Sequence, residues 1–445
     1  MTGTPKPGTI STKQDRIAKL VQQMPDTALR TLAHHIDIEW LKEAHRRTRK
    51  DAAPGVDGVS AEDYEQDLEG NLGRLLDAAK SGTYRAPPVR RVLIPKGQGK
   101  TRPLGIPTHE DKVLQRAVAM VLEPIYEQAF FDFSYGFRPG RSAHQALEAL
   151  WRGLMNRRIG WVLDVDVQSF FDTLDHQVCR DLLHERVSDG VIVRLVGKWL
   201  NAGVLDGGVV RRAEVGTPQG GVISPLLANI YLHEVLDRWW MRDVLPRMRG
   251  EAFLIRYADD FVVCFEHEDD ARRFQEVLPK RFAQYGLSLH PEKTRLLPFR
   301  RPRGDDGPPS GPGQSRSFDF LGFTHKWAKT RKGRWAVERS TMKTRFARAV
   351  RGLVDWCRQH IHAPLAKQAE MLAAKLRGHD QYYGITGNSR ALGRLRELVK
   401  RAWWKALGRR SQRGLSAAQF AEKVLARYPL PPPRVVHSVY RSAKL

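Results

Sequence analysis

At 445 residues the chain is long enough for a large catalytic domain and a smaller one, and 41% hydrophobic residues is ordinary for a folded protein. Its 74 Lys and Arg against 49 Asp and Glu give +25, an excess that points to a polyanionic partner, nucleic acid or an anionic membrane surface. Three distant cysteines without a CxxC pair argue against a disulfide framework or a cysteine zinc site, and the lack of a long apolar run or signal-peptide core argues against a membrane.

In chain order, residues 1–50 read as helical, with apolar spacing at Ile17, Leu20, Val21, Leu29 and Leu32. A breaker cluster follows at 53–58 (APGVDG), then a strand at 89–94 (VRRVLI) and a Gly/Lys-rich turn at 95–100. Helices are expected over 110–128 and 142–156. Three segments read as buried strands: 161–167 (WVLDVDV), 253–256 (FLIR) and 261–265 (FVVCF). The last two flank Tyr257-Ala258-Asp259-Asp260, which predicts a hairpin with carboxylates at its tip. Residues 300–317 are rich in Gly, Pro and Ser and are expected to form a mobile loop. Beyond 318–323 (FDFLGF), a short strand or turn, the pattern turns helical. Phe346, Val350, Leu353, Val354, Cys357 and Ile361 make one stripe, with further helices at 365–377, 389–407 and 416–427. The Pro-rich tail from 429 should be irregular. Charge is uneven along this order. Residues 326–445 hold 28 Lys and Arg against 6 Asp and Glu, a net +22, which leaves +3 for the first 325.

A strand ending in Asp166 beside a hairpin ending in Asp259-Asp260 offers three carboxylates over one patch. Hard oxygen ligands of this kind suit two Mg²⁺ ions about 3.5–4 Å apart, the arrangement nucleotidyl transfer needs. Taken alone, the Asp pair also suits a plain hairpin turn. Phe171, five residues after Asp166, can cover the C2′ position of an incoming nucleotide, where a ring would clash with a 2′-hydroxyl; a core aromatic is the competing reading. The glycines of 216–221 (GTPQGG) let backbone approach a ligand, with Gln219 near the nascent base pair. Lys96 and Arg102 are candidates to clamp a triphosphate.

These pieces, in order, resemble the group II intron-encoded reverse transcriptase/maturase of bacteria. The matching stretches are PGVDG (54–58), RVLIPKGQGKTRPLGIPTHEDKVLQ (91–115), YGFRPGRSAHQAL (135–147), DVDVQSFFDTLDH (164–176) and GTPQGGVISPLLANIYLHEVLD (216–237). They continue with YADD (257–260), GLSLHPEKT (286–294), FDFLGF (318–323) and LRGHDQYYGITGN (376–388). The resemblance implies an α+β right-hand polymerase: a helical extension over 1–50, fingers and palm with antiparallel sheet over 51–325, and a basic helical thumb/maturase domain over 326–445. It implies two Mg²⁺ held by Asp166, Asp259 and Asp260 with Val167, and dNTP contact by Lys96, Arg102, Phe171 and Gln219. It further implies Lys293 as general acid, and template or primer contact by Arg138, Arg141, Phe320, Leu321 and Gly322. The expected activity is RNA-directed DNA synthesis, with binding of intron RNA to assist splicing and mobility at a DNA target. The expected location is cytoplasmic and nucleoid-associated, with no membrane partner; the oligomeric state stays open. Two departures stand out: no Cys/His-rich endonuclease cluster before Leu445, so target-strand cleavage is not expected, and the insertion at 300–317. A host-adapted reverse transcriptase and an idle RNA-binding splicing factor remain as alternative readings.

Overall fold

The computed structural model describes residues 7–25, 27–97, 100–206, 209–211, 216, 220–302, 317–330, 332–410 and 414–439. The helix His109–Tyr126 lies at its centre, buried on nearly every side. Thr108 caps its first turn, accepting from the Asp111 N–H at 3.2 Å. The side chain of Asp111 in turn accepts from Trp199 Nε1 at 2.6 Å and Gln115 Nε2 at 2.9 Å, and burial pushes its carboxyl up to about 6.

The first fifty residues form the helices Pro7–Gln23 and Ile38–Arg47. They are not a detached extension: Ile10, Ile17, Val21, Trp40 and Leu41 join the same apolar core as the central helix. Asp189 ties them down further, its second oxygen accepting from the N–H groups of Leu32 and Ala33 at 2.6 and 2.9 Å.

Eleven strands are described, in three sheets: β1 (Val89–Gly97), β2 (Lys100–Ile106), β3 (Trp161–Asp166), β4 (Val204–Asp206), β5 (Val209–Arg211), β6 (Ala252–Tyr257), β7 (Asp260–Phe265), β8 (Arg295–Pro298), β9 (Ser317–Phe320), β10 (Phe323–Lys329) and β11 (Trp335–Thr341). Their orders are β2-β1-β4-β5, β6-β7-β3-β8 and β11-β10-β9, antiparallel throughout except for the pair β1 and β4. The predicted turn at 95–100 is shorter than expected, because β1 and β2 keep pairing through Pro95↔Thr101 to Gly97↔Lys100. Ladder hydrogen bonds outweigh the turn-like composition there. The expected boundary at 325/326 falls inside β10, so the third sheet joins the central sheet to the C-terminal helices. Residues 303–316, the core of the expected mobile loop, lie outside the described residues.

The C-terminal helices are Lys343–Gln359, Leu365–Tyr383 and Ser389–Leu407, followed by Ala417–Phe420, which runs on in wider turns. They share a core of Leu353, Cys357, Leu372, Leu395 and Trp403. Leu365–Tyr383 outruns its predicted end because Tyr382 and Tyr383 pack on Phe323 of β10. The Pro-rich tail has no regular element, yet it docks: the N–H groups of Val436 and His437 both bond the Gly384 carbonyl, at 2.7 and 2.9 Å. Cys179, Cys264 and Cys357 are buried and unbridged. No described helix is long and apolar enough to cross a membrane.

A buried ion pair locks the centre. Arg256 on β6 and Asp237, on π-helical turns after the helix Ser224–Leu232, are both fully buried and meet in a two-point contact, Nε to Oδ1 at 2.8 Å. Burial alone would raise the Asp237 carboxyl; Arg256, with His233, holds it below the usual carboxylate range. The guanidinium also donates to Asn229 Oδ1 at 3.0 Å and to the Ala258 carbonyl at 3.1 Å. Removing one member of such a pair leaves an uncompensated buried charge, at a cost of about 3–5 kcal/mol. Asp237→Ala is therefore expected to lower stability by about that amount in urea titration; a loss under ~1 kcal/mol would show the pair to be dispensable.

Candidate active site

β3 and β7 lie side by side with Asp166 opposite Asp260, and β6 closes the hairpin with Tyr257 opposite Asp260. Only Ala258 and Asp259 form the tip, and Ala258 takes the left-handed conformation at φ 56°. Three supports hold that strained residue. The Arg256 guanidinium grips its carbonyl. Residues 133–135 run along β6, with the Arg256 N–H donating to Phe133 O at 2.8 Å and the Tyr135 N–H to Arg256 O at 2.9 Å. Gly136 then passes so close that a Cβ there would stand 2.3 Å from the Ala258 nitrogen.

The three predicted carboxylates thus share one end of the sheet. Asp164 joins them, since the two-residue period of β3 puts it on the face of Asp166. Burial, then the charges of Asp164, Asp259 and Asp166, push Asp260 up to about 8. Burial pushes Asp259 up as well, and Asp164 up to about 6. A set of desolvated, mutually repelling carboxylates of this kind calls for a cation.

Two cations are supplied by the segment entering β8. Lys293 Nζ lies 3.2 Å from both oxygens of Asp166, and Arg295 lies 3.3 Å from Asp164. The segment is fixed by the His290 N–H on the Asp166 carbonyl and the Gln168 N–H on the Ser288 carbonyl, each at 2.8 Å. That bridge spans Val167 and uses the carbonyl of Asp166, not that of Val167. The donor set suits hard divalent ions, but among the described residues no three His, Cys, Asp or Glu converge as ligands around one point. With Lys293 seated on Asp166, the carboxylates stand apart.

The other predicted residues surround this end. Arg102 on β2 is exposed, and its charge reaches Asp259, opposing the upward shift there. Lys96 lies on the paired strand β1, its side chain outside the described residues. Phe171 is half-buried on the short helix Phe170–Thr173, edge-on to the buried Phe170 at 5.4 Å. Gln219 lies outside the described residues, but its flanking glycines do not. A Cβ on Gly216 would meet the Asp172 carbonyl at 2.8 Å, and one on Gly220 the Gly105 carbonyl at 2.3 Å. Gly216 thus lies beside the helix Phe170–Thr173, and Gly220 beside β2.

Two expectations need correction. Arg138 is 6% exposed and points inward, donating to Glu127 at 2.9 Å and to the carbonyls of Phe131 and Ser134 at 2.7 Å each. A guanidinium with its donors so occupied braces the loop rather than a template. Phe320 is 1% exposed, so its ring belongs to the core. Arg141 is half-buried against Asp132 at 2.6 Å and over the Tyr135 ring.

Leu321 and Gly322 both have positive φ, 49° and 80°, the signature of a two-residue hairpin turn matched to strand twist. The Leu321 backbone lies near enough to the Asp260 carboxylate to oppose its upward shift, and the Leu321 carbonyl accepts from Tyr382 Oη at 2.9 Å. A C-terminal helix is thereby tied through one residue to a catalytic-end carboxylate. Sequence reasoning missed Asp164, Tyr382 and Phe137. Alternation along DVDV signals the first. No local pattern signals Tyr382, which meets its partner only in the folded chain. Phe137, at φ 57° and 56% exposed, presents a ring beside Tyr257, 6.3 Å away.

Residues 94–325 match the family model for reverse transcriptase (RNA-dependent DNA polymerase). Protein YkfC of Escherichia coli K12 is 40% identical over 286 residues, 57% of this chain and 75% of that protein. The group II intron-encoded protein LtrA of Lactococcus lactis is 38% identical over 301 residues, 64% of this chain and 50% of LtrA. Nuclear intron maturase 2 of Arabidopsis thaliana is 28% identical over 170 residues, 29% of this chain and 23% of that protein.

An exposed ring held by strained backbone suits base stacking, which contributes about 1–3 kcal/mol per base. Phe137→Ala is expected to weaken equilibrium binding of an RNA–DNA duplex by roughly five-fold or more with the melting temperature unchanged. Unaltered affinity would rule the ring out as a platform.

Proposed function

The chain belongs to the reverse transcriptase family, the RNA-dependent DNA polymerases, in its group II intron-encoded branch, and from that premise we propose that the carboxylate end of β3 and β7 extends a DNA primer along an RNA template. The observation that carries the reading is the register Asp166↔Asp260 with Asp259 in the adjoining tip. Asp166, Asp259 and Asp260, with the Val167 carbonyl, would hold two Mg²⁺. Those ions would supply activation of the primer 3′-hydroxyl and charge neutralisation at the leaving pyrophosphate.

The chain's own groups do the rest. Arg102 and Lys96, on the paired strands β1 and β2, face a triphosphate approaching from the fingers. Phe171 covers C2′ and excludes a ribose, while Gln219 contacts the nascent pair without reading its sequence. Lys293, which lies on Asp166, would donate a proton to the departing pyrophosphate. Leu321 and Gly322, steadied by Tyr382, guide the primer end, and Arg141 serves the template.

Residues 326–445 serve as thumb and maturase surface: their +22 grips the template–primer duplex and the intron RNA by phosphate contacts. On this reading the protein assists splicing of its intron and copies it at a DNA target in the bacterial cytoplasm. The finer assignment needs its own test, since the aligned region spans only about half of LtrA.

Three variants test the chemistry by primer extension on an RNA template with Mg²⁺. Asp259→Ala is expected to abolish cDNA synthesis while RNA binding persists; continued synthesis would end the assignment. Phe171→Ala should admit ribonucleotides, with selectivity for the deoxy sugar falling at least tenfold, and unchanged selectivity would remove the proposed gate. Lys293→Ala should lower the single-turnover rate by about 10²-fold, in the range of general acid–base catalysis, with nucleotide affinity little altered.

A further inference from the structure

The palm sheet has a second functional end. Opposite the carboxylates, Trp161 of β3 pairs with Phe265 of β7 and Pro298 of β8, five residues from Asp166 and about 16 Å away at ~3.3 Å per residue. There a cleft of about 850 Å³ opens between the 157–160 link into β3, the residues after β7 and β8, and Trp327 of β10. Arg157 and Arg158 stand on one side, Arg300 and Arg301 on the other, and all four are exposed.

What sets them apart is that four exposed arginines line one cleft. Arg74, Arg152, Arg242 and Arg272, also exposed, each pair with a carboxylate within 3.2 Å. Among the described residues the four cleft guanidiniums pair with none. Arg157 lies over Phe253 at 5.0 Å and Arg301 over Trp327 at 5.8 Å. The lining holds one carboxylate, Glu266, whose side chain is engaged by the Glu251 N–H at 3.0 Å. Trp327 is fixed by its Nε1–H on the Phe299 carbonyl at 2.9 Å, which leaves a ring oriented and half-exposed at the cleft wall.

We infer that this cleft is a second nucleic-acid site, which takes a single-stranded stretch of structured RNA, with phosphates on the four arginines and a base stacked on Trp327. Guanidinium forks match phosphate oxygens in two-point contacts, and those without a carboxylate partner break no ion pair on binding. Arg301 must shift off Trp327 for a base to stack there. An aromatic platform beside them suits an unstacked base, which loops and tails of RNA present and duplex DNA does not. It lies at the opposite end of the sheet from the carboxylates, so RNA held here need not be the strand being copied. The site is independent of the chemistry proposed above.

The test uses the full chain with its main cleft saturated by an RNA–DNA template–primer duplex. A labelled 12-nucleotide single-stranded RNA is then titrated at several salt concentrations. The wild type is expected to bind it. R157A/R158A/R300A/R301A should bind at least tenfold more weakly, with the slope of log affinity against log salt shallower by about 3. Primer extension by that variant should stay within twofold of wild type. R74A/R152A/R242A/R272A, with the same change in charge, should bind as the wild type does. Arg301→Glu, at an exposed position, gives the same readout with little packing lost. The inference is overturned if the saturated wild type binds no RNA, or if the cleft variants bind like the wild type. It is equally overturned if the control variant loses as much affinity, or if primer extension falls in parallel with RNA binding.

Discussion

One buried contact sets the geometry on which the active end depends, the pair between Arg256 and Asp237. Neither group reaches water, and the partners come from a strand of the palm and from the π-helical turns behind it. The same guanidinium reaches the Ala258 carbonyl at the hairpin tip and Asn229, whose amide in turn bonds the Gly136 carbonyl at 2.6 Å. A low-dielectric site punishes any displacement of such a charge, so the tip cannot drift without breaking the pair. Left-handed backbone at Ala258 is tolerable because the surroundings over-determine it.

Around that fixed point the carboxylates are held close to the limit of what a protein tolerates without added cations. The upward shifts of Asp259 and Asp260 share a cause, desolvation reinforced by neighbouring acids. Lys293 and Arg295 relieve part of the charge, but as side chains on a linking segment they can withdraw. The turn at Leu321 and Gly322 adds a different kind of relief, its backbone beside Asp260. Because Tyr382 bonds the Leu321 carbonyl, a C-terminal helix and the Asp260 end of the sheet meet at that one turn. Movement of those helices on a duplex would be felt at the site.

Charge is distributed to match this division. The first 325 residues are near neutral, and the remaining +22 lies on the end of the third sheet and the C-terminal helices. The four unpaired arginines at the far end of the sheet depart from this pattern. They are a positive cluster in the otherwise balanced part of the chain, which is why they call for an explanation beyond general basicity.

Much of this was legible in the residue order. Short apolar runs placed β3, β6 and β7 to within a residue or two, and Asp166, Asp259 and Asp260 fall at or beside the strand ends. Spacing at three and four residues located the long C-terminal helices. Partners that meet only through tertiary contact were not legible. Arg138 looks like a surface cation in YGFRPGR and is buried on Glu127; Phe320 looks like a primer contact in FDFLGF and is core. Local sequence determines what a backbone can form and which residue types sit at its ends, since propensity and periodicity are short-range. Which charges are buried together, which rings face out, and which helix steadies Asp260 were decided by long-range packing, where burial and electrostatics act between residues a hundred positions apart.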